Sequence, residues 1–134
     1  MRDAARIGAI GKALGHSLDG IAAALRERAF VQELVVIVPL TIAAWLLPVT
    51  AIEATLLTAS LLAILVVELL NTGIESITDL ASPERHPLAK RAKDAGSAAV
   101  LVTIAIAAIV WGSVLWTHYW PADPARAASS ASIR

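Results

Sequence analysis

Two uncharged runs constrain this chain more than any other feature: Leu34 to Ile52 and Ala95 to Thr117. A helix needs about 20 apolar residues to cross a bilayer, so each run can span one. A third run, Ala54 to Val67, is shorter and stops at Glu68. It continues through Leu69, Leu70, Gly73, Ile74 and Ile77 with polar residues interleaved. We read it as one long helix over about 51–80 whose last turns leave the hydrocarbon. A buried helix of a soluble domain is the alternative for that run, and the spans on either side weigh against it. Composition points the same way: 57% of residues are hydrophobic and 16% charged, with a mean hydropathy of +0.71. Soluble domains run at ~45–50% apolar and ~25% charged.

The expected architecture is therefore all-α and membrane-embedded, with spans at about 28–48, 51–80 and 91–119. Residues 1–120 form one domain, and the Ala/Ser-rich segment 121–134 reads as a disordered tail. Ahead of the first span, Ile7, Ile10, Leu14, Leu18, Ile21 and Leu25 share one face of a helix over about 5–26, with Lys12, His16 and Asp19 opposite. Such a helix suits a membrane surface, or else a soluble partner. Asp3, Arg6 and Lys12 interrupt the N-terminus, so it does not read as a signal peptide.

Basic residues set the expected orientation. Arg2, Arg6, Lys12, Arg26 and Arg28 precede the first span, and Arg85, Lys90, Arg91 and Lys93 lie between the second and third. The connection between the first two has none. By the positive-inside rule the N-terminus and the 82–93 loop face the cytoplasm, and the C-terminus lies outside. Trp45, Trp116, Tyr119 and Trp120 then gather at the outer interface. Lys and Arg balance Asp and Glu at 11 each, which argues against a nucleic-acid partner. There is no cysteine, so disulfide and thiolate chemistry are excluded.

The chemistry concentrates in two stretches. In the first, Glu68, Asn71, Glu75 and Asp79 recur at i, i+3, i+7 and i+11 and form one polar stripe on a helix face. Carboxylates in a membrane helix are costly and usually mark function, although a polar seam between subunits also explains such a stripe. Glu68 lies about 25 Å along the helix from Ala51, at ~1.5 Å per residue. That depth is just inside the boundary of a core ~30 Å thick, with Glu75 and Asp79 beyond it. A carboxylate there can meet a lipid hydroxyl, and the acids below it can meet a soluble cosubstrate. The second stretch is Arg91-Ala-Lys93-Asp94-Ala-Gly-Ser97 at the start of the third span. Arg91 and Lys93 can offset phosphate charge. An ordinary basic boundary explains both of them but not Asp94. Small residues Ala95, Gly96, Ala98 and Ala99 permit tight helix packing. Neither a Gly-x4-Gly-Lys-Ser/Thr loop nor a protein-kinase signature occurs. His16, His86 and His118 are too scattered for a transition-metal site.

Together, Val67-Glu68-Leu-Leu-Asn71-Thr-Gly-Ile-Glu75-Ser-Ile-Thr-Asp79 and Arg91-Ala-Lys93-Asp94-Ala-Gly-Ser97-Ala-Ala-Val resemble the prokaryotic diacylglycerol kinase family. The resemblance runs over roughly residues 6–120, including Ala29-Phe30-Val-Gln32-Glu33 and Leu115-Trp116-Thr-His-Tyr. It implies a homotrimer in the bacterial inner membrane that transfers the ATP γ-phosphate to diacylglycerol, with Mg2+. Glu68 resembles the general base. Glu27 and Glu75 match the acids that hold the metal and nucleotide. His16, Asn71, Glu84, His86, Lys93 and Asp94 fall at nucleotide-site positions, and Phe30, Glu33, Ser97 and Trp111, with Glu68, at lipid-site positions. Three departures concern nucleotide contact: His16 replaces an aromatic Tyr, Arg6 aligns only across a gap, and Lys90 replaces a small residue. An undecaprenol kinase of the same family is the nearest alternative. A non-catalytic channel or scaffold is the alternative of another class, though the stretch of the second span from Leu56 to Val67 offers only Thr58 and Ser60 to a pore.

Overall fold

A computed structural model describes residues 2–82 and 86–120. The side chain of Arg6, residue Glu84 and the tail beyond Trp120 lie outside the described residues. Four helices follow in order: α1 (Arg2–Ala24), α2 (Arg28–Leu46), α3 (Ala51–Ala81) and α4 (Pro87–Tyr119). Among the described residues there is no strand. The last three are each long and apolar enough to cross a membrane. α1 is helical as expected, and Ile10, Leu14, Leu18 and Ile21 on it are exposed.

Local chemistry sets the helix ends. The α2–α3 connection is tight because Thr50 caps α3 reciprocally with Glu53. The Glu53 backbone N–H donates to Thr50 Oγ1 at 3.3 Å, and the Thr50 backbone N–H donates to Glu53 Oε2 at 2.8 Å. α4 begins at Pro87, a few residues ahead of its hydrophobic span. Pro needs no backbone donor at the first helical position, and Leu88 N–H donates to His86 Nδ1 at 3.2 Å. The helix therefore carries Lys90, Arg91, Lys93 and Asp94 on its first turns rather than in a loop. α2 continues through Pro39, as membrane helices commonly tolerate.

α3 is the central helix. It packs along α4 and, over a shorter length, against α2. One buried cluster joins Ile37, Leu61, Ile64 and Ala107, and a second joins Ala44, Leu57 and Val114. Trp111 bridges the two clusters, and its indole N–H donates to the Leu57 carbonyl at 3.3 Å. Most other large apolar side chains on the spans, such as Val35, Val66, Leu101 and Ile109, point outward. An aqueous solvent would penalise that surface, whereas a lipid one does not.

The end carrying the α2–α3 turn is rich in aromatic groups. Trp116 and Trp120 stack at 5.2 Å, and Trp45 Nε1 donates to Thr58 Oγ1 at 3.1 Å. Here His118 Nε2 lies 3.1 Å from both Glu53 carboxylate oxygens and ties the end of α4 to the start of α3. Glu53 thus serves both the helix cap and the inter-helix contact. Glu53→Ala is expected to lower the thermal midpoint in detergent more than His118→Ala, because it removes both. Equal effects would mean that the capping box contributes nothing.

Candidate active site

At the other end of the bundle, the polar stripe faces the helix interfaces and grades from buried to exposed. Glu68 is 6% exposed and Asn71 7%, the buried polar side chains among the described residues, whereas Glu75 and Asp79 are exposed. The gradient follows depth along α3, as the spacing predicts. Asn71 Nδ2 donates to Glu75 Oε1 at 3.3 Å, linking adjacent turns of the stripe. Glu33 on α2 is within electrostatic reach of Glu68, and Glu75 stands two turns further along α3. Acidic groups from two helices are therefore neighbours at Glu33 and Glu68, with Glu75 nearer the exposed end.

Two oxygens here are buried without a hydrogen-bond partner among the described residues, Glu33 Oε2 and Asn71 Oδ1. Buried polar atoms are rarely left so, and those that are usually await a ligand, ion or water. Asn71 Oδ1 sits against Gly96 of α4, and a Cβ on Gly96 would overlap it. Of the four small residues at the start of α4, Gly96 alone is buried; Ala95, Ala98 and Ala99 face outward. The close α3–α4 approach thus rests on one glycine, which also fixes where Asn71 stands.

A cavity of about 600 Å³ opens beside this cluster. It runs along the gap between α2 and α4 over α3 and is almost wholly apolar. Gln32 and Glu33 line it, with Val36, Leu40, Ile104 and Trp111. From Ala29 to Leu40 it follows about 16 Å of α2. Glu33 is its one ionisable lining group. An apolar slot with a few polar groups is the usual form of a small-molecule site.

Two lysines of α4 are engaged. Lys93 Nζ lies 2.5 Å from Asp79 Oδ1, and Lys90 Nζ lies 2.5 Å from Asp94 Oδ2 within α4. This i,i+4 pair supplies a structural reason for Asp94 that the sequence did not offer. Glu27 is exposed at the N-cap of α2, with no side-chain cap bond. His16 is exposed on α1, and His86 caps α4. Of the lipid-site positions, Glu33 and Trp111 line the cavity, Phe30 is buried, and Ser97 is exposed and outside the lining. Asp79 is the residue whose connection the spacing missed, because its partner lies on α4.

Three helices long and apolar enough to cross a membrane, a buried carboxylate and an apolar slot lined by the nearby Glu33 have a form suited to an amphiphile. Comparison with known proteins makes this specific. The family model for prokaryotic diacylglycerol kinase matches residues 15–115. The diacylglycerol kinase of Escherichia coli strain K12 is 46% identical over 110 residues, 81% of this chain and 89% of that protein. The diacylglycerol kinase of Pseudomonas aeruginosa is 45% identical over 104 residues, 77% of this chain and 85% of its own length, and that of Haemophilus influenzae is 40% identical over 105, 75% and 86%. The chain belongs to the prokaryotic diacylglycerol kinase family and is a membrane-bound lipid kinase.

The Gly96 contact yields a direct test. A Cβ there meets the end of the Asn71 side chain, so Asn71 must swing away from Glu75 while the backbone holds. Gly96→Ala is expected to lower phosphotransfer on the order of tenfold, about 1.4 kcal/mol. Adding Asn71→Ala to Gly96→Ala should cost little more, since both remove the same placement. Fully additive losses would show that Gly96 acts elsewhere.

Proposed function

We propose that this protein transfers the γ-phosphate of ATP to the free hydroxyl of diacylglycerol, giving phosphatidic acid and ADP at the membrane surface. The carrying observation is the position of Glu68. It is a buried carboxylate one turn beyond Ile64, which lines the apolar slot, and on the same helix face as the exposed Glu75 and Asp79, so it stands between a place for a lipid and a place for a water-borne phosphate donor. The names of the relatives support diacylglycerol as the lipid rather than undecaprenol. The apolar slot supports occupancy by an acyl chain, with the glycerol end near Glu33 and Glu68.

In this reading Glu68 accepts the hydroxyl proton as the lipid oxygen attacks the γ-phosphorus, and the bond to the β-phosphate oxygen breaks with ADP leaving. Asn71 and Glu75 face the nucleotide with Glu27, His16, Glu84, His86 and Asp94. Lys93 offsets charge on the phosphoryl group in flight. Phe30, Ser97 and Trp111 flank the lipid. Magnesium, when it arrives with the nucleotide, supplies charge neutralisation to the phosphates. Among the described residues no cluster of three or more acidic, His or Cys groups forms a closed cage. Mg2+ is usually held by one or two carboxylates plus phosphates. Glu27 and Glu75 are the carboxylates we assign to it, both exposed and with oxygens available.

Placement in the cytoplasmic membrane, with the N-terminus inside and the C-terminus outside, is supported by the charge pattern. Arg26, Arg28, Lys90, Arg91 and Lys93 lie at the Glu68 end, and the Trp-rich cluster lies at the other. The exposed apolar residues of α1 support a helix resting on the membrane surface. α1 makes no extensive packing against the other helices, which leaves the nucleotide end open on one flank. This supports completion of the site by a neighbouring subunit, as in a homotrimer.

Glu68→Gln keeps the shape and removes the base. Lipid phosphorylation is expected to fall by about 10²–10⁴-fold, with the oligomer intact on gel filtration. Undiminished activity would remove Glu68 from the mechanism.

A further inference from the structure

The mechanism leaves one member of the polar stripe without a part, Asp79. It lies near the end of α3, is exposed, and its Oδ1 is 2.5 Å from Lys93 Nζ on the opposite helix. Lys93 is more enclosed than its partner, at 37% side-chain exposure against 67%. The fold treats the nearby cations differently. Lys90 bonds within its own helix, to Asp94, whereas Lys93 is drawn across to α3 and into line with Glu75 and Asn71.

We propose that Asp79 is a positioning residue for phosphoryl transfer: it holds the Lys93 ammonium at the stripe, where incoming phosphate meets it. The inference rests on the reading of Lys93 as the phosphate-facing cation. Lysine is a flexible chain with three donors. With one donor engaged by Asp79, two remain to meet phosphate oxygens, and the chain no longer has to be ordered when nucleotide binds. An ion pair this exposed contributes little to stability, and α3 already packs along α4 through its apolar residues, so holding the helices together does not account for it. Asp79 also places a negative charge near the path of a polyanion. Repulsion alone would make its removal improve nucleotide binding, whereas positioning makes its removal harmful. The two effects have opposite signs, so they can be told apart.

The test is steady-state phosphorylation of diacylglycerol in mixed micelles with MgATP varied, on Asp79→Asn, Asp79→Glu, Lys93→Met and the double variant Asp79→Asn/Lys93→Met. Thermal unfolding of each checks that the fold is kept. Positioning predicts that Asp79→Asn raises KM for MgATP on the order of tenfold with a smaller change in kcat. Asp79→Glu, which keeps the charge and the donor contact, should stay within about threefold of the parent. In the Lys93→Met background, Asp79→Asn should have no further effect, because there is no ammonium left to hold. An unchanged or lowered KM in Asp79→Asn, with Lys93→Met still impaired, overturns the role of Asp79 alone. An unimpaired Lys93→Met overturns the reading of Lys93 on which the inference rests.

Discussion

A carboxylate in hydrocarbon is the constraint around which this molecule is arranged. Glu68 stands on a helix whose neighbouring faces are Leu, Ile and Val, and an isolated helix would expose its charge to lipid. Packing α3 between α2 and α4 removes that exposure, and the same packing creates the site. α4 supplies Gly96, which admits Asn71, and α2 supplies Glu33, which turns the α2–α4 gap into a slot with one polar end. Burial of the acid and formation of the slot are thus one consequence of helix order. The polar stripe continues outward until Glu75 and Asp79 reach water, so a single helix face joins a lipid compartment to an aqueous one.

The two ends of the bundle divide the work. At the α2–α3 turn, Glu53 caps α3 and receives His118, while stacked Trp116 and Trp120 give the ring surface that an interface favours. Contacts there fix the helix crossing. At the opposite end, among the described residues, buried oxygens of Glu33 and Asn71 are left without partners. Unsatisfied polar groups cost stability in a finished structure, so their concentration beside the slot agrees with a site completed by ligands.

Much of the helical layout was legible in the sequence because lipid imposes length and apolarity together. Two uncharged runs cannot be read as anything shorter than a span, and the i, i+3, i+7, i+11 spacing placed Glu68 and Asn71 on one face without knowledge of the neighbours. What spacing could not supply was the phase of one helix against another. Four small residues at the start of α4 looked equivalent until packing selected Gly96. Glu33 entered only through the family resemblance, because nothing in the spacing along one helix shows that α2 turns it toward the slot. Asp79 and Lys93 stand on different helices, and only the packing of α3 along α4 brings them together. The family motifs reached the residues that matter chemically, while contacts between helices had to come from the fold.

The most direct test of the account is transfer of labelled phosphate from ATP in mixed micelles with magnesium, offering diacylglycerol and undecaprenol in separate reactions. The account predicts labelled phosphatidic acid as the preferred product. Preferential labelling of undecaprenol would contradict the assigned substrate, and no labelling of either lipid by the folded protein would contradict the assignment of Glu68 and its neighbours as a catalytic site.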